Sequence, residues 1–281
     1  MRTTLIIAFI ISSSVWLDAR EVIERILEPA ILEVKYERRK VLDTLDVGND
    51  FRQDILTLKV GKTVSAFYSS ELKTVDSIEY RHHEIAMARY DNYESFKAVA
   101  RLPKEKVFKN YPEGKVRVHD RFDFCHWMID EDWEKPVWNI TDSISMILGY
   151  ECMRAETNFR GRHWVVWFTF DIPVSDGPWK LCGLPGLILQ AQDSKGHYVY
   201  EPVSIRTKNV GNVEYYDYDA GNRLKITRER ALPRKNKSLH EDLYFKIVSS
   251  GAYGIYNPNV KERKIIPHTN YDFEEIDYLH E

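Results

Sequence analysis

The residues with chemistry to offer gather loosely around one apolar stretch, "GPWKLCGLPGLILQAQD", Gly177 to Asp193. Asp171, Asp176 and Asp193 flank it. Paired carboxylates would suit acid–base hydrolysis, but Asp171 and Asp176 bracket "IPVS", where carboxylates cap turns by accepting backbone N–H bonds. Ser175 precedes Asp176 without the Gly-x-Ser-x-Gly setting of a hydrolase nucleophile. His82 and His83 are adjacent, so their side chains diverge. His119 and His126 fall on opposite sides of a straight strand. His163 and His197, with Cys125 or Cys182, are the remaining combination for a soft metal. No spacing matches a zinc pattern, and neither a metal nor any other cofactor is expected. Arg160 and Arg162 around Gly161 could clamp an anion, although solvated arginines beside a hairpin loop are ordinary.

Three elements of the address and composition bear on these groups. The opening "MRTTLIIAFIISSSVWLDAR" places Arg2 before an apolar run from Leu5 to Leu17 and a small residue at Ala19. That is the layout of a secretory signal peptide over residues 1–19, too short for a comfortable membrane span. No cysteine precedes Cys125, so no lipid anchor is expected, nor a membrane span after cleavage. The expected location is periplasmic or outer-envelope associated. Export would bring Cys125, Cys152 and Cys182 into an oxidising compartment. Cys152 with Cys182 is the favoured disulfide, since their segments read as neighbours in one sheet, and closing that loop would stabilise by about 3–4 kcal/mol. Lys+Arg of 40 against Asp+Glu of 43 gives a net charge of −3, without a basic block, so nucleic acid is not an expected partner.

Aromatic residues at 13% suit pleated, half-buried surfaces and favour sheet. In "ILEVKYERRKVLDTLD", Leu32, Val34 and Tyr36 alternate with Glu33, Lys35 and Glu37, a strand wet on one side. "DILTLKVG" and "TVSAFYSS" follow as strands around Gly61 and Lys62. The segment from Ser77 to Leu102 does not alternate and reads as helical pieces. "KVRVHDRFDFCHWMID", "PVWNI", "LGYECMRAET" and "RHWVVWFTFDIPV" are β-rich, with Gly161 of "NFRGR" suited to a hairpin. Trp164, Val166, Phe168 and Phe170 share one face of the last run, opposite His163, Val165, Trp167 and Thr169. A strand apolar on both faces belongs mid-sheet, covered on both sides or lining a cavity. Trp164, Trp167 and Phe168, with Trp179, are therefore the candidate apolar lining. From about residue 220 the chain is charged and helix-leaning, with Pro233 breaking it in two. No linker divides residues 20–281, which read as one domain.

Pro185 fixes its own φ and extends Leu184, while Gly186 would supply the positive φ of a type II turn. Gly183, Leu184, Pro185, Gly186, Leu187 and Ile188 thus form an apolar turn. Such leucines need cover, either as an inward plug of the sheet end or as a lip that meets a lipid, an apolar ligand or a partner. "GY-C", "FRGR-W--WFT-DIP" and "GPWKLCGLPGLIL", from Trp138 to Glu201, resemble the signature region of the GLPGLI family of exported Gram-negative proteins of unknown function. The likeness extends more weakly to "EVKYERRKVLDTLD" and "LKVGKTVSAFYSS". The C-terminal "NYDFEEIDYL" departs from the family's usual ending. The resemblance implies an exported envelope protein with a mainly β (α+β) fold: a curved antiparallel sheet or half-barrel with a few peripheral helices. It brings no catalytic residues.

The expected role is non-enzymatic binding of an apolar ligand or an envelope protein. A hydrolase or other enzyme, and a metal-binding accessory protein, are the alternatives. A lined cavity would favour a carrier, a polar cleft with converging carboxylates an enzyme, and a filled core an interaction role.

Overall fold

The computed structural model describes residues 22–81, 99, 101–123, 125–240 and 273–277. The signal peptide read at 1–19, His82, His83 and most of the helical region expected before Leu102 lie outside the described residues. Within them the chain forms β1 (Ile23–Pro29), β2 (Leu32–Val41), β3 (Phe51–Val60), β4 (Ser65–Tyr68), α1 (Ser70–Arg81), β5 (Lys106–Lys109), β6 (Lys115–Phe122) and β7 (Cys125–Asp132). The second half adds β8 (Asn139–Ile147), β9 (Tyr150–Phe159), β10 (Arg162–Thr169), β11 (Leu187–Asp193), β12 (Tyr198–Arg206), β13 (Asn212–Asp217), β14 (Arg223–Lys225) and α2 (Arg228–His240).

Twelve strands make one sheet in the order β14-β7-β6-β5-β4-β3-β2-β12-β11-β10-β9-β8, while β1 and β13 pair separately. Every pairing is antiparallel except β14 with β7. Among the described residues the sheet is open, ending at β14 and β8, and is not closed into a barrel. Two hairpin runs meet at its middle, where Tyr200 of β12 stands opposite Arg38 of β2. Two-residue turns with positive φ at both positions join β8 to β9 (Leu148 at 49°, Gly149 at 83°) and β9 to β10 (Arg160 at 53°, Gly161 at 79°), the geometry that matches strand twist.

The period-2 pattern explains the two faces. On one, Leu32, Val34 and Tyr36 join Leu56, Leu58, Phe67, Val107 and Val118 with Trp164, Val166, Phe168, Leu187 and Leu189 in a continuous core. The loop from residue 171 to 186 folds onto this face and α2 contributes Ala231 to it. On the other face Ala66, Tyr68 and Phe108 pack against Val213, Tyr215 and Tyr216 of the small sheet. There α1 buries Leu72, Val75 and Asp76. Ser69 opens α1, accepting a hydrogen bond from Leu72 N at 3.2 Å. No helix among the described residues is long and apolar enough to cross a membrane.

Several expectations change. The run around His119 and His126 is a hairpin, β6 then β7, with Phe122 opposite Cys125. The two histidines therefore belong to separate strands. Pro233 lies inside α2 and does not divide the helix. It sits in the second turn, where a missing N–H forfeits one helical bond, and the burial of Ala231 and Leu232 beside it holds the helix in place. Phe170 is 53% exposed, because a register shift between Trp167 and Phe168 turns both Phe168 and Thr169 inward. Gly186 is absent from the positive-φ residues, whereas Gly183 has φ of 95°. What requires glycine at 186 is close approach: a Cβ there would lie 1.9 Å from the Thr169 carbonyl oxygen.

Candidate functional site

The leucines of the opening stretch are inside. Leu184, Leu187, Ile188 and Leu189 are buried, and the Tyr36 hydroxyl donates to the Ile188 carbonyl at 2.6 Å. Trp164 and Trp179 pack at 5.6 Å between ring centroids. Phe168 is fully buried, and Trp167 is partly buried against the same core. These aromatic residues fill the interior. The chemistry lies instead where the apolar face of β2 changes character.

Residues two apart on a strand share a face, so Leu32, Val34 and Tyr36 are continued by Arg38 and Lys40. Arg38 pairs with Asp54 of β3 at 2.8 Å and with Glu274 at 3.3 Å. Glu274 belongs to a short segment, Phe273–Asp277, that lies across this face. The Tyr200 hydroxyl also donates to Glu274. Lys180, buried in the loop after β10, bridges Glu131 and Glu275. Arg228, at the start of α2, binds Glu275 and Asp277. Burial alone would raise the Glu275 carboxyl, but Lys180, Arg228 and Arg160 outweigh it and hold the group down at about 2.

The backbone of the segment is gripped as well. Arg162 donates through Nε to the Phe273 carbonyl at 3.0 Å and pairs with Asp193 at 2.8 Å. Ile276 N donates to the Arg160 carbonyl at 3.1 Å. Gly161 makes room, since a Cβ there would lie 2.5 Å from Asp277 N. Phe273, Glu274, Glu275 and Ile276 are all buried. Arg160, half-buried, and Arg162, buried, thus form a clamp on the segment and are not solvated hairpin arginines. Asp176 and Asp193 do more than cap turns, because each is one half of a buried ion pair.

Next to Phe273 the face opens into a groove of about 260 Å³ that includes Lys40, Lys104, Glu105, Asp120 and Lys235. Lys235 lies 2.5 Å from Asp120 and 3.9 Å from Glu105. Burial, with the Glu274 and Asp120 carboxylates, pushes Glu105 up to about 7. A larger depression of about 760 Å³ between α1 and the β1–β13 sheet is lined by charges already paired, among them Lys73 with Glu214 and Arg81 with Glu24.

The expected Cys152–Cys182 disulfide is not formed, and all three cysteines are free thiols. The two lie in different surroundings. Cys152 Sγ approaches the Tyr150 carbonyl at 3.5 Å, with Asp171 and Glu151 nearby. Cys182 sits among Lys109, Asp176, Trp133 and Lys135. Burial pushes the Cys152 thiol up to about 11 and raises Cys182 as well, which makes both poor nucleophiles. Among the described residues no group of three or more histidine, cysteine or acidic side chains is placed to hold a metal ion. His163 bonds Asn158 at 3.1 Å at the exposed end of its hairpin, while His197 is buried.

The molecule is therefore an open antiparallel-sheet protein with a filled core and a basic face occupied by an acidic segment. Residues 159–190 match a family described as "Protein of unknown function (Porph_ging)". That stretch runs from the β9–β10 hairpin through the loop of Asp176 and Lys180 into β11. No curated protein matches the chain. Two crystal structures of PNGF-II, in space groups P21 and C2, are similar at 17% and 16% identity with TM-scores of 0.47 and 0.48. The alignments cover 74% and 75% of this chain and 33% of theirs, so the chain spans about a third of the length of those structures.

Proposed function

We propose that this is an exported envelope protein of the GLPGLI type that works by binding a partner protein, without catalysis. Its recognition surface is the basic face, and the partner supplies an extended acidic segment. The observation that carries this reading is the seating of Phe273–Asp277, in which carboxylates meet Arg38, Lys180 and Arg228 and the backbone meets Arg160 and Arg162. Such charge-assisted bonds, combined with main-chain contacts, read side-chain spacing along an extended chain. The apolar-ligand version gains less support, because Trp164, Phe168 and Trp179 are packed into the core.

The test uses the full chain carrying Glu275→Lys, which sets a cation against Lys180 and Arg228 and weakens the internal segment's hold. A fluorescent peptide with the sequence of residues 270–279 is expected to bind this variant more tightly than wild type, where the internal segment competes. Fluorescence anisotropy reads the difference. A peptide that binds neither protein, or binds equally well with both its central glutamates changed to lysine, would remove the reading. Export is tested separately. N-terminal sequencing of the protein recovered from the periplasmic fraction should begin at Arg20 or within a few residues, and an intact Met1 would contradict it.

A further inference from the structure

Among the described residues the groove beyond the seated segment is open, and its walls are unevenly charged. Arg38 and Lys40 from β2, Arg52 from β3, Lys104 ahead of β5, Arg121 from β6 and Lys235 from α2 surround the space of about 260 Å³. Two carboxylates, Glu105 and Asp120, line it with them. Pro103, Phe122 and Phe273 supply apolar walls that strengthen any charge interaction inside. Most of these cations are satisfied locally: Arg38 by Asp54 at 2.8 Å and Glu274 at 3.3 Å, Arg52 by Asp54 at 3.1 Å, Arg121 by Asp76 and Asp219 at 2.9 Å each, Lys235 by Asp120 at 2.5 Å, and Lys104 by the Val99 carbonyl at 2.6 Å. Arg38 Nε, although buried, has no hydrogen-bond partner among the described residues. Cations drawn from five different segments thus converge on one compact cavity.

We propose that this groove is an oxyanion site that takes a phosphate group. A tetrahedral, multiply charged oxyanion can accept bonds from several directions at once, and guanidinium and ammonium donors around a compact space fit that demand. The protonation behaviour of the walls agrees. Burial and the neighbouring Arg38, Arg52 and Lys235 lower Lys40 to about 7, with Glu274 as the opposing charge. Burial, Arg121 and Arg52 lower Lys104 to about 8 against Asp76 and Glu79. An anion in the groove would restore the charge of both lysines. Glu105, pushed up to about 7 by burial, Glu274 and Asp120, gives up its negative charge below that pH. All three groups therefore favour anion binding as pH falls.

Titration calorimetry of the full chain with inorganic phosphate is the first arm of the test. Co-sedimentation with phosphatidylglycerol vesicles, against phosphatidylcholine vesicles, is the second. Binding of free phosphate points to a soluble phosphate compound, and vesicle binding alone points to a lipid headgroup. Either result is expected to weaken about tenfold in Lys104→Gln and in Lys40→Gln. Sulfate keeps its charge across the range and should bind about tenfold tighter at pH 6 than at pH 8.5. Lys104 donates to the Val99 carbonyl at 2.6 Å and makes no hydrogen bond or ion pair with Phe273–Asp277, so peptide binding by the segment's site is expected to survive Lys104→Gln, and the two readings fail separately. No binding in either arm at about 10 mM phosphate, or binding that both variants leave unchanged, would overturn the proposal.

Discussion

Lys109→Met is expected to destabilise the protein by about 3–5 kcal/mol, because it leaves the buried Asp176 carboxylate without its counter-ion. Lys109 is fully buried on β5, where Nζ contacts Asp176 and donates to the Gly177 carbonyl at 2.7 Å. Asp176 in turn accepts from Gly177 N at 2.7 Å, and its carbonyl accepts from Ile188 N at 2.9 Å. One lysine thus anchors the loop that covers the core to the central strands. Urea denaturation measures the loss. Adding Asp176→Asn to Lys109→Met removes the orphaned charge and should restore a substantial part of it. A single variant within about 1 kcal/mol of wild type would show that the pair does not hold the loop.

Gly186→Ala is expected to cost about 3 kcal/mol through backbone collision and not through strain in φ. The added Cβ would stand 1.9 Å from the Thr169 carbonyl oxygen and 2.7 Å from its carbon. Both belong to the end of β10, held opposite Leu187 by the sheet ladder, so neither can swing aside as a side chain would. Gly48→Ala is the control. A Cβ at Gly48 meets nothing within 4 Å, and its effect should stay within about 0.5 kcal/mol. Thermal unfolding of the two variants side by side checks the contrast, and equal melting temperatures would refute the close-approach account.

These residues also mark what the sequence made legible. Alternation identified β2, because burial of one face imposes a period of two that any reader of hydropathy can follow, and β10 was legible as a β-rich run apolar on both faces. The apolar turn was visible for the same reason. Its geometry was not: Pro-Gly suggests a positive φ, whereas the constraint on Gly186 comes from Thr169, on the strand that precedes the loop. The site was less legible still. Lys106, Lys109 and Lys180 look like solvent-facing lysines in sequence, yet each is buried against an acid at a distant position. The clue available locally was the face of β2, where Arg38 and Lys40 continue the register of Leu32, Val34 and Tyr36. What they face, the segment Phe273–Asp277, is set by tertiary packing that no local pattern reports. The disulfide expectation failed because Cys182 lies in the loop between β10 and β11, outside the sheet that holds Cys152, and the two thiols are not brought together.

The open ends of the large sheet bear on how the protein avoids self-association when it is concentrated. An unpaired strand offers a row of N–H and C=O groups to any other chain. At one rim, β14 spans three residues, too few to template a partner. At the other, β8 is long and shows Ile140, Ile144 and Met146 to solvent. Its ladder to β9 is interrupted, however, with a register shift between Ile140 and Ile144. An irregularity of that kind bends the strand and breaks the regular spacing of its outward groups. A second copy approaching this rim would meet short runs out of step with its own strand. The break in β8 would thus interrupt edge-to-edge pairing at the rim where the apolar side chains would otherwise invite it.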